Sequence, residues 1–178
     1  MNKQIRFRMA GFSIVVSAVL ALTMNFVQAA EVSLRNGIYL VLRDAASANM
    51  LEPIKDVERV LIDDGHLLIP TQPNVPDKPK FVVLSTSQFV PIELAHRPSR
   101  KFDAQGKKQL LLELAKSQVI PLETFSRENC GRSVAIVIGN QVVTVHKIKE
   151  PITGGKLQIT RCTDNGCDVL YTQLEDAK

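Results

Sequence analysis

The chain has no tryptophan, two tyrosines, three cysteines and three histidines. Each scarcity excludes something. Without a row of aromatic and basic residues there is no platform for stacked bases, so nucleic-acid binding is not expected. Three cysteines are too few for a disulfide scaffold, and a chain of this length can bury enough surface to do without one. His66, His96 and His146 sit in three different local settings, and no nucleophile signature or cofactor motif accompanies them. A catalytic or metal-binding role is therefore not expected, and the cofactor expectation is none.

Residues 1–29 have the pattern of a secretory signal. Lys3, Arg6 and Arg8 precede a mostly apolar stretch from Ala10 to Val27, and Val27-Gln28-Ala29 places small residues before a cleavage point after Ala29. The apolar run is short for a bilayer span and is diluted by Ser13, Ser17, Thr23 and Asn25. The expected mature protein is periplasmic or secreted, with no stable membrane span after cleavage. Cleavage also removes three of the 22 basic residues and none of the 18 acidic ones, leaving a mature net charge of +1. The basic cluster His96-Arg97-Pro98-Ser99-Arg100-Lys101 is read as a solvated loop.

Residues 30–69 read as a small β-rich region. Gly37–Leu42 and Val57–Ile62 are strand candidates, and Asp64-Gly65 before His66–Ile69 suggests a hairpin. Proline at 70, 73, 76 and 79 favours an extended polyproline connector over residues 70–80. Residues 81–178 then form the main domain. Phe81–Ser85 and Phe89–Leu94 read as strands. A helix is expected from Asp103 to about Gln118, with Leu110, Leu111, Leu114 and Ala115 on one face, and Pro121 should stop it. Ser126–Asn129 should open a short helical turn ended by Gly131.

Ser133–Ile138 is continuously apolar and β-branched, the mark of a strand buried on both faces. Gly139-Asn140 turns the chain into the strand Gln141–Ile148. Gly154-Gly155 then separates that strand from Lys156–Arg161. Two adjacent glycines imply positive φ or a close approach, which makes this loop a structural element and a candidate contact site. It could also cradle an anion, but a tight strand connection needs the same glycines. Thr163 can cap a last helix with Cys167, Leu170, Tyr171 and Leu174 on one face; the rival reading is a hairpin of Leu157–Cys162 with Cys167–Leu174 across Asp164-Asn165-Gly166, and the helical spacing favours the helix. Cys162 and Cys167 then occupy the two positions that a hydrophobic staple joins, so a Cys162–Cys167 disulfide is possible in an oxidising compartment. The alternative is three reduced thiols.

Two runs carry a family resemblance. Ser126-Arg127-Glu128-Asn129-Cys130-Gly131-Arg132-Ser133-Val134-Ala135-Ile136-Val137-Ile138 resembles T-x-E-N-I-G-K-R-L-A-I-V-L, and Lys147–Thr160 resembles x-I-x-E-P-I-x-G-G-x-x-Q-I-T. Both patterns belong to the head subdomain of the first periplasmic domain of SecD/SecDF, a protein-export component. The resemblance spans about residues 80–176. It departs at Gly139-Asn140, where the family usually has Asp-Gly, at Val145-His146, where it has Ala-Pro, and at Arg161, where it often has glycine. The resemblance implies an α+β, ferredoxin-like fold with two main helices on one side of an antiparallel sheet. It also sets Cys130 where the family has a core aliphatic residue, which implies a buried structural thiol. The family's transmembrane helices, which carry its proton-driven movement, have no counterpart here. The implied role is therefore a non-catalytic envelope module that contacts a peptide, an unfolded exported chain or a protein partner. The rival reading is a small periplasmic enzyme or ligand-binding protein whose site forms only in three dimensions.

Overall fold

The computed structural model describes residues 33–68, 80–160 and 162–176. The leader expected at 1–29 and the proline-rich connector at 70–80 lie outside the described residues, apart from Lys80. The strands are β1 (Gly37–Ala45), β2 (Glu58–Asp63), β3 (Lys80–Pro91), β4 (Ser99–Phe102), β5 (Lys108–Glu113), β6 (Ser133–Ile138), β7 (Gln141–Lys147) and β8 (Lys156–Ile159). The helices are α1 (Lys116–Glu128) and α2 (Asp164–Glu175). The fold is α+β, with two antiparallel sheets ordered β2-β3-β1-β6-β7 and β4-β5-β8. The order β3-β4-β5-α1-β6-β7-β8-α2 departs from the βαββαβ order of a ferredoxin-like fold. The region expected at 30–69 supplies β1 and β2 to the larger sheet, and β1 is its middle strand.

Alternation along the strands builds two cores, one on each face of the larger sheet. Ile38 and Leu40 of β1, and Val134 and Ile138 of β6, face a core shared with Leu110 and Leu112 of β5, Leu122 and Phe125 of α1, and Leu170 and Leu174 of α2. Both helices therefore cover the same face. Tyr39, Ala135, Val137, Val82 and Leu84 face the opposite way into a smaller core. There the Tyr39 and Phe89 rings stack with centroids 4.7 Å apart. Edge strands β2 and β7 approach each other, so the sheet curls over this second core. β6 is buried on both faces, as its apolar, β-branched-rich run implies. Gly139 and Asn140 both have positive φ, at 58° and 62°, which is the backbone of a type I′ turn.

Three local expectations are overturned. Residues 103–115 are not helical. Asp103 instead closes the β4–β5 hairpin, its Oδ1 accepting the N–H groups of Gln105 and Lys107 while Gly106 takes φ 74°. Leu110, Leu112 and Leu114 are buried at spacing two, a strand period that the crowded leucine run concealed. Second, α1 runs through Pro121. The missing N–H costs one bond to the carbonyl of Ser117, which is exposed and can be served by water. Third, Asp64-Gly65 does not form a hairpin turn. β2 pairs with β3, and the chain instead carries Leu68 across to an isolated bridge with Cys162.

Residues 46–57, between β1 and β2, are tied down by Arg43. Its guanidinium donates to the carbonyls of Leu51 and Pro53 and to the carboxylate of Glu58, at 2.9, 3.1 and 2.8 Å. Glu58 is 3% exposed, and the arginine holds its carboxyl below the usual carboxylate range.

A candidate interaction surface around α1

Helix α1 begins without a side-chain cap. Its start is fixed by Glu93, two residues past β3, instead: Ala115 N–H donates to the Glu93 carbonyl at 2.7 Å, and Gln118 Nε2 donates to Glu93 Oε2 at 2.8 Å. Its other end is held by two polar side chains that the sequence reading had not singled out. Ser126 is fully buried. Its Oγ donates to the Glu123 carbonyl and accepts the N–H of Ile152 at 2.8 Å. Asn129, 5% exposed, donates to the Phe125 carbonyl and accepts from Arg132. The signal was available: the resembled motif has a hydroxyl residue and an asparagine at these two places. Gly131, at φ 83°, leaves the helix and donates to the Ile148 carbonyl.

These bonds lay the segment 148–155 along α1, from its end back to its start. The Gly154-Gly155 pair closes that path. Both glycines have positive φ, 74° and 64°. They are not equivalent. A Cβ on Gly155 would stand 2.8 Å from Val119 Cγ2, whereas one on Gly154 would meet nothing within 4 Å. Gly155 is buried and bonds Leu114 through its carbonyl, and Gly154 is exposed. Gly155 is thus a packing position against α1, and Gly154 presents bare backbone to solvent.

On the other flank, α1 and β3 form an open groove of about 670 Å³. Phe89, Val90, Pro121 and Phe125 give it apolar walls, and Gln88, Thr124 and Glu128 give it a polar rim. Ile120 stands at the groove with 67% of its surface exposed and adds an apolar side chain to its mouth.

The remaining candidate residues do not converge on this groove. His66 bonds Asp64 beside β2, His146 Nε2 lies 3.1 Å from Thr144 Oγ1 on β7, and His96 lies in the loop before β4. Among the described residues no group of three His, Cys, Asp or Glu side chains is arranged to hold a metal ion. No described helix is long and apolar enough to cross a membrane. Cys130 is exposed, contrary to the expected buried thiol, with Sγ 3.4 Å from the Lys149 carbonyl. The buried residue at this turn is its neighbour Asn129, because the turn directs the amide inward to bond the helix end. Cys162 and Cys167 are both 1% exposed, with Cα atoms 5.2 Å apart, and the structure carries a disulfide between them. Thr163 caps α2 by accepting the N–H of Gly166 at 2.9 Å.

A family model described as "SecDF, P1 head subdomain" matches residues 70–176. Over 62 residues the chain is 32% identical to the protein translocase subunit SecD of Acidaminococcus fermentans, a match covering 35% of this chain and 15% of that protein. The chain therefore spans a small part of this curated relative. Among solved structures, one described as "Structure and function of a membrane component SecDF that enhances protein export" aligns with a TM-score of 0.44 and 16% identity, covering 79% of this chain and 63% of that one. A second, "Crystal structure of SecDF in Super-membrane-facing form", aligns with a TM-score of 0.42 and 17% identity, covering 80% and 24%. The family match takes in more than half of the chain and both resembled motifs, and on that ground the chain belongs to the SecDF P1 head subdomain family.

Proposed function

We propose that this chain is an exported, non-catalytic module of the cell envelope that holds extended apolar segments of not yet folded proteins in the α1–β3 groove. Membership of a protein-export family supplies the context. The observation that carries the reading is Ile120, 67% exposed at an apolar groove between a helix and a strand. An extended segment buries alternate side chains in such a groove, and the rim groups Gln88 and Glu128 are placed to pair with its backbone. Gly154, with its bare backbone, lies on the opposite flank of α1 and is not part of this groove.

The test is binding to a permanently unfolded protein, reduced and alkylated α-lactalbumin. The protein should bind it, and Ile120→Lys should weaken binding about fivefold or more, the effect of losing one apolar anchor. Ile120 is exposed, so the thermal midpoint should hardly move. Equal binding by the variant, or no binding by the wild type, would reject the groove.

Export itself is checked at the N-terminus. The envelope form should begin at Ala30, and Edman sequencing that finds Met1 on membrane-bound material would reject cleavage. Export also bears on the cysteines. We infer that Cys162 and Cys167 remain joined in the mature protein, stapling the residue before the α2 cap to the start of the helix. Alkylation before reduction should label Cys130 alone, and mass spectrometry showing three labelled thiols would refute the bond. Because the closed loop is short, Cys162→Ser with Cys167→Ser should cost about 2–3 kcal/mol at most.

A further inference from the structure

We propose that the groove beside α1 takes its occupant as an added β-strand, bonded main chain to main chain along an open edge of β3. This rests on the reading of the groove as a site for extended segments, and it names how they are held. β3 lies between β2 and β1, but β2 accompanies only its first half. The last bond on the β2 side runs from Thr86 N–H to the Val57 carbonyl, at 2.8 Å. That side is occupied again past the end of the strand, where the Glu93 carbonyl accepts Ala115 N–H. Between these two bonds, residues 87–91 have no described strand beside them on that side.

The register fixes which groups face the gap. Ile38 pairs with Val90, and Ile92 N–H donates to the Asn36 carbonyl. Bonded and non-bonded pairs alternate along an antiparallel ladder, so Val90 and Ile92 direct their main-chain groups toward β1. Phe89 and Pro91 direct theirs the other way. Glu93 continues that alternation, and its carbonyl is the one that meets Ala115. The gap therefore offers the Phe89 N–H and the carbonyls of Phe89 and Pro91. Proline's missing N–H falls on this side, where it breaks no bond of the sheet. Gln88 N–H, by contrast, is already taken by Ser85 Oγ at 3.1 Å. Among the described residues none of the three groups facing the gap has a hydrogen-bond partner.

Ile120, Pro121 and Phe125 of α1 line the groove along this same stretch. A chain laid beside Phe89 bonds through the main chain that every polypeptide carries, and sets alternate side chains against those apolar walls. The site thus selects an extended polypeptide with apolar residues at alternate positions and is otherwise indifferent to sequence. A groove of about 670 Å³ beside a helix has room for one extended chain, not for the sheet that a folded partner would bring with its edge.

Fluorescence anisotropy of a labelled peptide of alternating valine and threonine tests this on the purified protein. Alternate N–H groups of an extended chain point to opposite edges, so two methylated versions are compared, one N-methylated at every valine and one at every threonine. One of them should bind about tenfold more weakly than the unmethylated peptide and the other about equally, because only one edge meets β3. Amide exchange followed by NMR gives a second readout. Phe89 N–H should exchange fast in the free protein and about tenfold more slowly, or slower still, with peptide bound, while Val90 N–H, directed at β1, stays slow in both. Equal binding of the two methylated peptides would overturn the proposal, as would a Phe89 N–H already protected in the free protein. So would a wild type that ignores the unmethylated peptide; if it is then also a dimer, the edge belongs to a second copy. The underlying reading fails in a different way. If Ile120→Lys leaves peptide binding unchanged, the groove is not the site and both readings fall. If Ile120→Lys weakens binding while the methylated peptides stay equal, the groove stands and strand pairing falls.

Discussion

Leu110→Ala is expected to lower the thermal midpoint by roughly 5–15 °C, whereas Leu111→Ala beside it should cost about 1 kcal/mol or less. Leu110 is fully buried on the inner face of the β4-β5-β8 sheet, where β5 meets the core beneath both helices. Truncating it removes about three carbons from a packed site and leaves a cavity, an effect on the order of 2–5 kcal/mol. Leu111 points to the outer face of the same strand, among Ser99, Glu113 and Gln158. The two variants separate strand from helix. On a helix, Leu110 and Leu111 would share a face and their losses would be similar. Thermal unfolding followed by circular dichroism decides it, and equal losses would reject the strand.

The second large effect is expected at Gly155. Gly155→Val forces a β-branched residue to φ 64° and drives a carbon into Val119, whose Cγ2 stands 2.8 Å from where a Cβ would lie. Backbone strain of this kind costs about 1–3 kcal/mol, and the collision adds to it. Gly154→Val faces the same strain at φ 74° without the collision, so its loss should be clearly smaller. Denaturant unfolding of the two variants measures the difference. If neither variant shifts the midpoint, the glycines are not there for backbone reasons. If Gly154→Val is the worse of the two, the packing of Gly155 on α1 is wrong.

What the sequence disclosed follows the strength of local signals. β6 was legible because an apolar run rich in β-branched residues between Gly131 and Gly139 favours a strand. The type I′ turn at Gly139-Asn140 and the Thr163 cap were legible because each is set by a few adjacent residues. β5 was misread because Leu110–Leu114 supplies an apolar residue at every helical spacing and at every strand spacing alike, so periodicity could not choose. Asp64-Gly65 carried a real turn preference, but β3 offered β2 a longer partner than the segment beyond the turn, and pairing outweighed turn chemistry. The groove at α1 was not legible at all. It depends on where β3 ends relative to Pro121, and no local pattern fixes that distance. The anchors Ser126 and Asn129 were within reach, since buried polar residues at a helix end need partners, but the partners lie more than twenty residues away in the case of Ile152.

The central place of β1 has a consequence for the order in which the molecule can be assembled. Synthesis delivers the chain N-terminus first. β1 can pair with β3 early, but its other edge waits for β6, and Gly37 meets Val137 across 100 residues of chain. Until Ile138 has been delivered, Ile38, Leu40 and an unpaired row of backbone groups are uncovered together. A contact of such long range slows folding and leaves an adhesive edge open in the meantime. The protein is thus, for part of its own synthesis, a chain whose central strand is half paired and open on one side.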